Sequence, residues 1–177
     1  MKLILVLTIV MILMVSCRKT ENNCLWAIET SGIDARIGGY YNHTSNSFPY
    51  DSLQIHLEFT TKYLPHDKCN EPYDSILGKI KEIYVITKNL YNANYNSNDT
   101  INNIIKIRYY NSITNSLTSD FTPLNNFIQN NPNSTYYIQM FLSEPPSEIS
   151  SQSFIITYKE DNGKIYIDST DTMIISY

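Results

Sequence analysis

Residues 52–60 read Ser-Leu-Gln-Ile-His-Leu-Glu-Phe-Thr, with Leu53, Ile55, Leu57 and Phe59 set alternately against Gln54, His56 and Glu58. In extended backbone successive side chains point to opposite faces, so this period of two predicts a strand with one dry face and one wet face. Residues 80–87, with Ile83, Val85, Tyr84 and Ile86, and residues 104–110 are further strand candidates, each bounded by Asn-rich turns. Strand signals resume at 135–142, 154–159, 164–167 and 172–176, and Asp161-Asn162-Gly163 between two of them is a hairpin turn signal. The pattern changes only between residues 119 and 132. There Thr122-Pro123 supplies an N-cap and a first-turn proline ahead of Leu124, Phe127 and Ile128 at helical spacing. Asn130-Asn131-Pro132 should end that helix, because the residue before a proline resists helical backbone.

Many short strands, one helical segment and no internal repeat predict a mainly β fold: an antiparallel β-sandwich, immunoglobulin- or transthyretin-like, with one short helix. Pro145-Pro146 marks residues 143–152 as a loop, since a central strand cannot hold prolines. With only five glycines for so many turns, asparagine is expected at left-handed positions. A length of 177 residues, 42% of them hydrophobic, fits one packed domain. The balance of 13 Lys and Arg against 17 Asp and Glu, a net charge of −4, excludes a nucleic-acid partner, which would need clustered cations.

The chain opens with Lys2 and an apolar run from Leu3 to Val15 broken only by Thr8, which reads as a secretory signal peptide. The run is shorter than the roughly 20 residues of a spanning helix. Leu13-Met14-Val15-Ser16-Cys17 resembles the lipobox of bacterial lipoproteins, with Met14 standing where that family prefers leucine. The resemblance implies cleavage before Cys17 and acylation of its sulfur, hence a membrane partner through the lipid anchor, with the outer membrane of a bacterial envelope as the expected address. The plainer alternative is a secreted protein cut near Ser16 with Cys17 as an ordinary thiol. The expected organisation is a signal peptide over residues 1–16, a lipidated N-terminus and tether over 17–23, and a single β-sandwich domain over 24–177.

Three cysteines are present, Cys17, Cys24 and Cys69. Assigning Cys17 to lipid leaves an even pair in an oxidising compartment, so a disulfide between Cys24 and Cys69 is expected. A metal or catalytic role for Cys69 with His66 and Asp67 is the weaker reading, because one short loop offers too few convergent ligands.

The remaining motifs carry little chemistry. The chain has no Gly-rich phosphate loop, no Gly-x-Ser-x-Gly elbow and no His-Glu-x-x-His, and no cofactor, metal site or catalytic residue is expected. His56 and Glu58 share the wet face of their strand, as an ion pair or part of a ligand site. Tyr91 and Tyr95 sit in the polar loop 89–99, where an exposed ring could stack on a sugar or anchor a protein. Asp51-Ser52-Leu53, Asp74-Ser75-Ile76, Asp99-Thr100-Ile101, Asp168-Ser169-Thr170 and Asp171-Thr172-Met173 resemble the O-glycosylation acceptor triplet of Bacteroidetes envelope proteins. With the lipobox, they make the chain similar to small Bacteroidetes envelope lipoproteins, and they imply Ser52, Ser75, Thr100, Ser169 and Thr172 as glycan acceptors. The expected role is a non-enzymatic module binding a protein partner or a glycan, with loops 89–99 and 143–152 as contact surfaces. The alternatives are a small hydrolase using Glu58 and Glu82, or a structural subunit of a surface complex.

Overall fold

A computed structural model describes residues 27–64, 75–111, 114–130 and 132–177. The signal peptide, the tether, Cys17, Cys24 and the Cys69 loop with His66 and Asp67 lie outside the described residues. Within them the chain is mainly β, with antiparallel sheets and one short helix.

The alternating segment forms β3 (Leu53–Leu64), and its four apolar side chains are buried while Glu58 is exposed. It pairs antiparallel on one side with β1 (Ala27–Gly39) and on the other with β9 (Tyr137–Leu142). Beyond β9 lies β6 (Ile105–Asn111), whose free edge takes up β7 (Ser116–Leu117) and β8 (Thr122–Pro123). At the opposite edge β4 (Ser75–Leu77) runs parallel to the start of β1.

A second sheet is built from β5 (Ile80–Thr87), β11 (Phe154–Glu160) and β12 (Ile165–Ser169), with β11 in the middle. A third, smaller one comprises β10 (Ser150–Gln152), β13 (Met173–Ser176) and β2 (Phe48–Pro49). One core holds the inward residues of the two larger sheets: Leu53, Ile55, Leu57, Phe59, Ile107, Ile138 and Met140 from the first, Ile83, Val85, Phe154, Ile156 and Tyr158 from the second. Phe59 meets Tyr158 edge to face across the interface, with ring centroids 4.9 Å apart. Apolar faces from two sheets sharing one core are what a sandwich requires.

Two edges are closed by side chains. Along β1, the Tyr166 hydroxyl donates to the Thr30 carbonyl at 2.6 Å, and Asp168 Oδ2 accepts the Ala35 N–H at 2.8 Å. Along β5, the Asn102 amide stands in for a peptide group, accepting from Val85 N–H at 2.9 Å and donating to the Ile83 carbonyl at 2.7 Å. Both contacts occupy backbone groups that would otherwise template aggregation.

The helix α1 (Leu124–Gln129) buries Leu124 and Phe127 against the core. It starts later than its sequence signal: Thr122 and Pro123 bridge to β6, Pro123 is the N-cap, and no side chain caps the helix. The Thr122 hydroxyl therefore has no helix N–H to serve, because strand pairing has claimed its backbone. Asn46, Asn98 and Asn115 have positive φ, the only non-glycine residues to do so among those described.

Candidate functional site

The two loops expected as contact surfaces pack on each other. The Tyr91 hydroxyl donates to the Glu144 carbonyl at 2.7 Å, Ser147 N–H donates to the Tyr91 carbonyl at 2.9 Å, and Gln152 Nε2 donates to the Leu90 carbonyl at 2.8 Å. Tyr91 is buried, and desolvation raises its phenol pKa above the ordinary value. Its ring belongs to the core, and β10 takes up the last three residues of loop 143–152. Leu90 and Ile149 remain exposed on these loops.

The wet face of the large sheet carries the residues singled out on β3. The His56 ring leans on Tyr137, whose hydroxyl shares a hydrogen bond with His56 Nδ1. Burial pushes the imidazole pKa down, and the Glu58 charge opposes this. His56 Nε2 is buried without a partner and lies over Gly38, where an added Cβ would come within 2.6 Å of it. Gln139 donates to Gln54, and its Oε1 is likewise buried and unpartnered. Glu58 faces Arg36 at 4.0 Å, and Arg36 is paired more closely with Asp34. The Arg36 guanidinium accordingly holds the Asp34 carboxyl below the usual range. His56 and Glu58 thus interact through their fields, and each has another partner.

The two carboxylates considered for hydrolysis stand on different sheets. Glu58 lies on the outer face of β3, and Glu82 on the outer face of β5, where Lys159 Nζ donates to it at 2.7 Å. The shared core separates them, so they do not form a catalytic pair. Among the described residues no group of three or more His, Cys, Asp or Glu side chains converges as metal ligands.

The acceptor triplets are placed unevenly. Ser52 is half-buried, and its hydroxyl donates to the Pro49 carbonyl at 3.0 Å and the Tyr40 carbonyl at 3.3 Å. Ser75 begins β4. Thr100, Ser169 and Thr172 are exposed.

A concave site forms at the edge strand β6. Both β7 and β8 pair to β6, but at different places: Leu117 opposite Tyr110, Thr122 opposite Ile107. The four residues between them, Thr118 to Phe121, therefore arch away from the sheet. Thr118 ties the foot of the arch, its N–H donating to the Tyr109 carbonyl at 3.0 Å and its Oγ1 accepting from the Tyr109 N–H at 3.3 Å. Arg108 Nε donates to the Thr118 carbonyl at 2.7 Å. The resulting cleft has a volume of about 450 Å³ and is lined by Tyr109, Asn111, Thr114, Ser116, Leu117, Thr118, Ser119, Asp120 and Thr122. That volume lies in the range of about 300–1,000 Å³ common for ligand sites, but polar groups dominate the wall.

Nothing in residues 114–122 distinguished this site in the sequence, where the stretch reads as a polar connection. The missing signal was the split pairing of β7 and β8 to one strand. Comparisons with protein-family models, with curated proteins and with solved structures find no match to this chain.

Proposed function

We propose that this chain is a lipid-anchored envelope protein whose β-sandwich is a non-enzymatic binding module for a protein partner or a glycan. The binding role is carried by the arch cleft at β6, a preformed concavity walled by hydrogen-bonding side chains. The address rests on the apolar N-terminal run and on Ser16-Cys17. Two or more acyl chains on Cys17 give stable membrane attachment where one gives marginal binding.

A Cys24–Cys69 disulfide is consistent with the strand register. Ala27 pairs with both Leu64 and Ser75, so the chain ends leading to Cys24 and Cys69 meet at one end of the large sheet. Closing that loop would stabilise the domain by about 4 kcal/mol in the chain-entropy treatment. Of the O-glycan acceptors, Thr100, Ser169 and Thr172 are exposed, whereas Ser52 is half-buried.

Intact mass spectrometry of the chain from a native membrane extract, with and without reduction, tests this reading. The expected species begins at Cys17, carries acyl chains and hexose-type mass, and gains two hydrogens on reduction. A chain retaining Met1 with no added mass overturns the address, and with it the envelope role.

A further inference from the structure

We infer that Asn162 is a latent deamidation site, held unreactive by the hairpin between β11 and β12 and released when that hairpin opens. The inference is independent of the binding role. Of the five glycines in the chain, Gly163 alone follows an asparagine. An asparagine loses its side-chain amide when the backbone nitrogen of the next residue attacks Cγ, and glycine places no Cβ in the way of that attack. Asp161, Asn162 and Gly163 are all exposed at the tip of the hairpin, and nothing lies within 4 Å of where a Cβ on Gly163 would stand. Water therefore reaches both reacting groups.

The reaction balances with water as its only co-reactant. Hydroxide takes the Gly163 N–H proton, and the nitrogen's electron pair forms a bond to Asn162 Cγ. The Cγ–Nδ2 bond breaks with its pair leaving on Nδ2, which takes a proton from water, regenerates hydroxide and departs as ammonia. A second water opens the cyclic imide at either carbonyl and leaves aspartate or isoaspartate.

The folded hairpin opposes this at three points. Gly163 N–H donates to the Glu160 carbonyl at 3.1 Å, and the imide nitrogen carries no hydrogen, so ring closure removes that donor. Asn162 Nδ2, the leaving group, donates to Glu160 Oε2 at 2.8 Å. Asn162 Oδ1 accepts the Lys164 N–H at 2.9 Å, which fixes the carboxamide in an Asx turn. The base of the turn is tied as well. Glu160 N–H donates to the Lys164 carbonyl at 3.0 Å, Asp161 N–H to the Lys79 carbonyl at 3.0 Å, and Lys79 N–H to Asp161 Oδ1 at 3.1 Å. Two of the first three bonds are gone once the imide exists, so the reaction runs from the locally opened hairpin.

The change is one-way. An aspartate at this position has no proton to offer the buried Glu160 carboxylate and sets a second carboxylate beside it. Isoaspartate routes the main chain through Cβ and lengthens the turn. β12 follows directly, and its Tyr166 and Asp168 side chains cover the edge of β1. Deamidation therefore loosens the seam between the two larger sheets.

The test uses the full-length chain in detergent, incubated at neutral pH in water enriched in oxygen-18, with every asparagine followed by peptide mass spectrometry. In denaturing guanidinium chloride Asn162 should take up labelled oxygen before any other asparagine. Gly163→Ala should slow that uptake by about tenfold, because the new Cβ hinders attack. In the native chain Asn162 should react about tenfold or more slowly than in denaturant, the factor that two net hydrogen bonds supply. Glu160→Gln ends the Asn162 contact while keeping the volume, and should raise the native rate about threefold or more. Its urea midpoint confirms that it folds. Gly39→Ala, which destabilises the chain away from this hairpin, should leave the native rate unchanged. A native rate equal to that in denaturant, no response to Glu160→Gln, equal acceleration by Gly39→Ala, or another asparagine reacting first in denaturant overturns the inference.

Discussion

Glu160 is wholly buried at the end of β11, yet none of its hydrogen-bond partners is a cation. Its Oε1 accepts from Ser134 Oγ at 3.1 Å and Tyr158 OH at 3.2 Å, and its Oε2 accepts from Asn162 Nδ2 at 2.8 Å. Ser134 Oγ and Tyr158 OH also lie 2.6 Å from each other. Two hydroxyls carry two protons, so only two of these three oxygen contacts are hydrogen bonds at any moment. One hydroxyl donates to the other, and the second donates to the carboxylate. Glu160→Ala leaves that second proton without an acceptor, which costs about 1–3 kcal/mol. The void adds about 1 kcal/mol, and Asn162, exposed at the hairpin, turns to water at little cost. The expected loss is about 3 kcal/mol, or about 6–12 °C in Tm for a domain of this size. Glu160→Gln keeps the volume and one acceptor oxygen for the hydroxyl and loses the Asn162 contact, since Asn162 Oδ1 is held by the Lys164 N–H, so about 1 kcal/mol is expected. Urea unfolding of the full chain, with m-values compared across variants, gives both numbers. Equal losses for the two variants, or losses below about 0.5 kcal/mol for both, would refute the proton count at this cluster.

Two further predictions concern the edge and the wet face of the large sheet. Gly39 ends β1 at φ +117°, and a Cβ there would fall on the Ser52 carbonyl oxygen, so Gly39→Ala should cost about 3 kcal/mol or more. Gly163→Ala, at φ +88° with open space around it, should cost about 1 kcal/mol; similar melting temperatures for the two would show that β1 does not end as described. The folded-state pKa of His56 lies below its ordinary 6.5 because burial disfavours the imidazolium. On acidification the unfolded chain therefore takes up this proton first, and stability falls as pH drops through 6.5, levelling off below the folded value. The Asp34 and Glu82 carboxyls, held low by Arg36 and Lys159, titrate at more acid pH and do not contribute in this window. Urea midpoints measured between about pH 7.5 and 5 should decline for the wild type and flatten for His56→Gln, and an unchanged slope in the variant would count against the assignment.

Where the physics is local, the strands were readable: the segment 80–87 is β5, and the expected strands at 104–110, 154–159 and 172–176 match β6, β11 and β13 to within a residue or two. Asp161-Asn162-Gly163 turns as its composition demands, with Gly163 at φ +88°. The longest strand was not legible, and the reason is a single residue. β1 buries Ile28 and Thr30, slips at Ser31 between Thr30 and Gly32, and then turns Ile33, Ala35 and Ile37 toward the core. A bulge of one residue moves every later side chain to the opposite face, so 13 residues of strand present no continuous alternation. The arch cleft was hidden for a related reason. Its lining is ordinary polar connection, and it becomes a concavity only because β7 and β8 compete for one edge of β6 at places the intervening four residues cannot follow flat. Periodicity reports which face of a strand is dry, whereas a cleft of this kind is a property of register between strands. The bulged β1 edge and the arch over β6 both arise at that level.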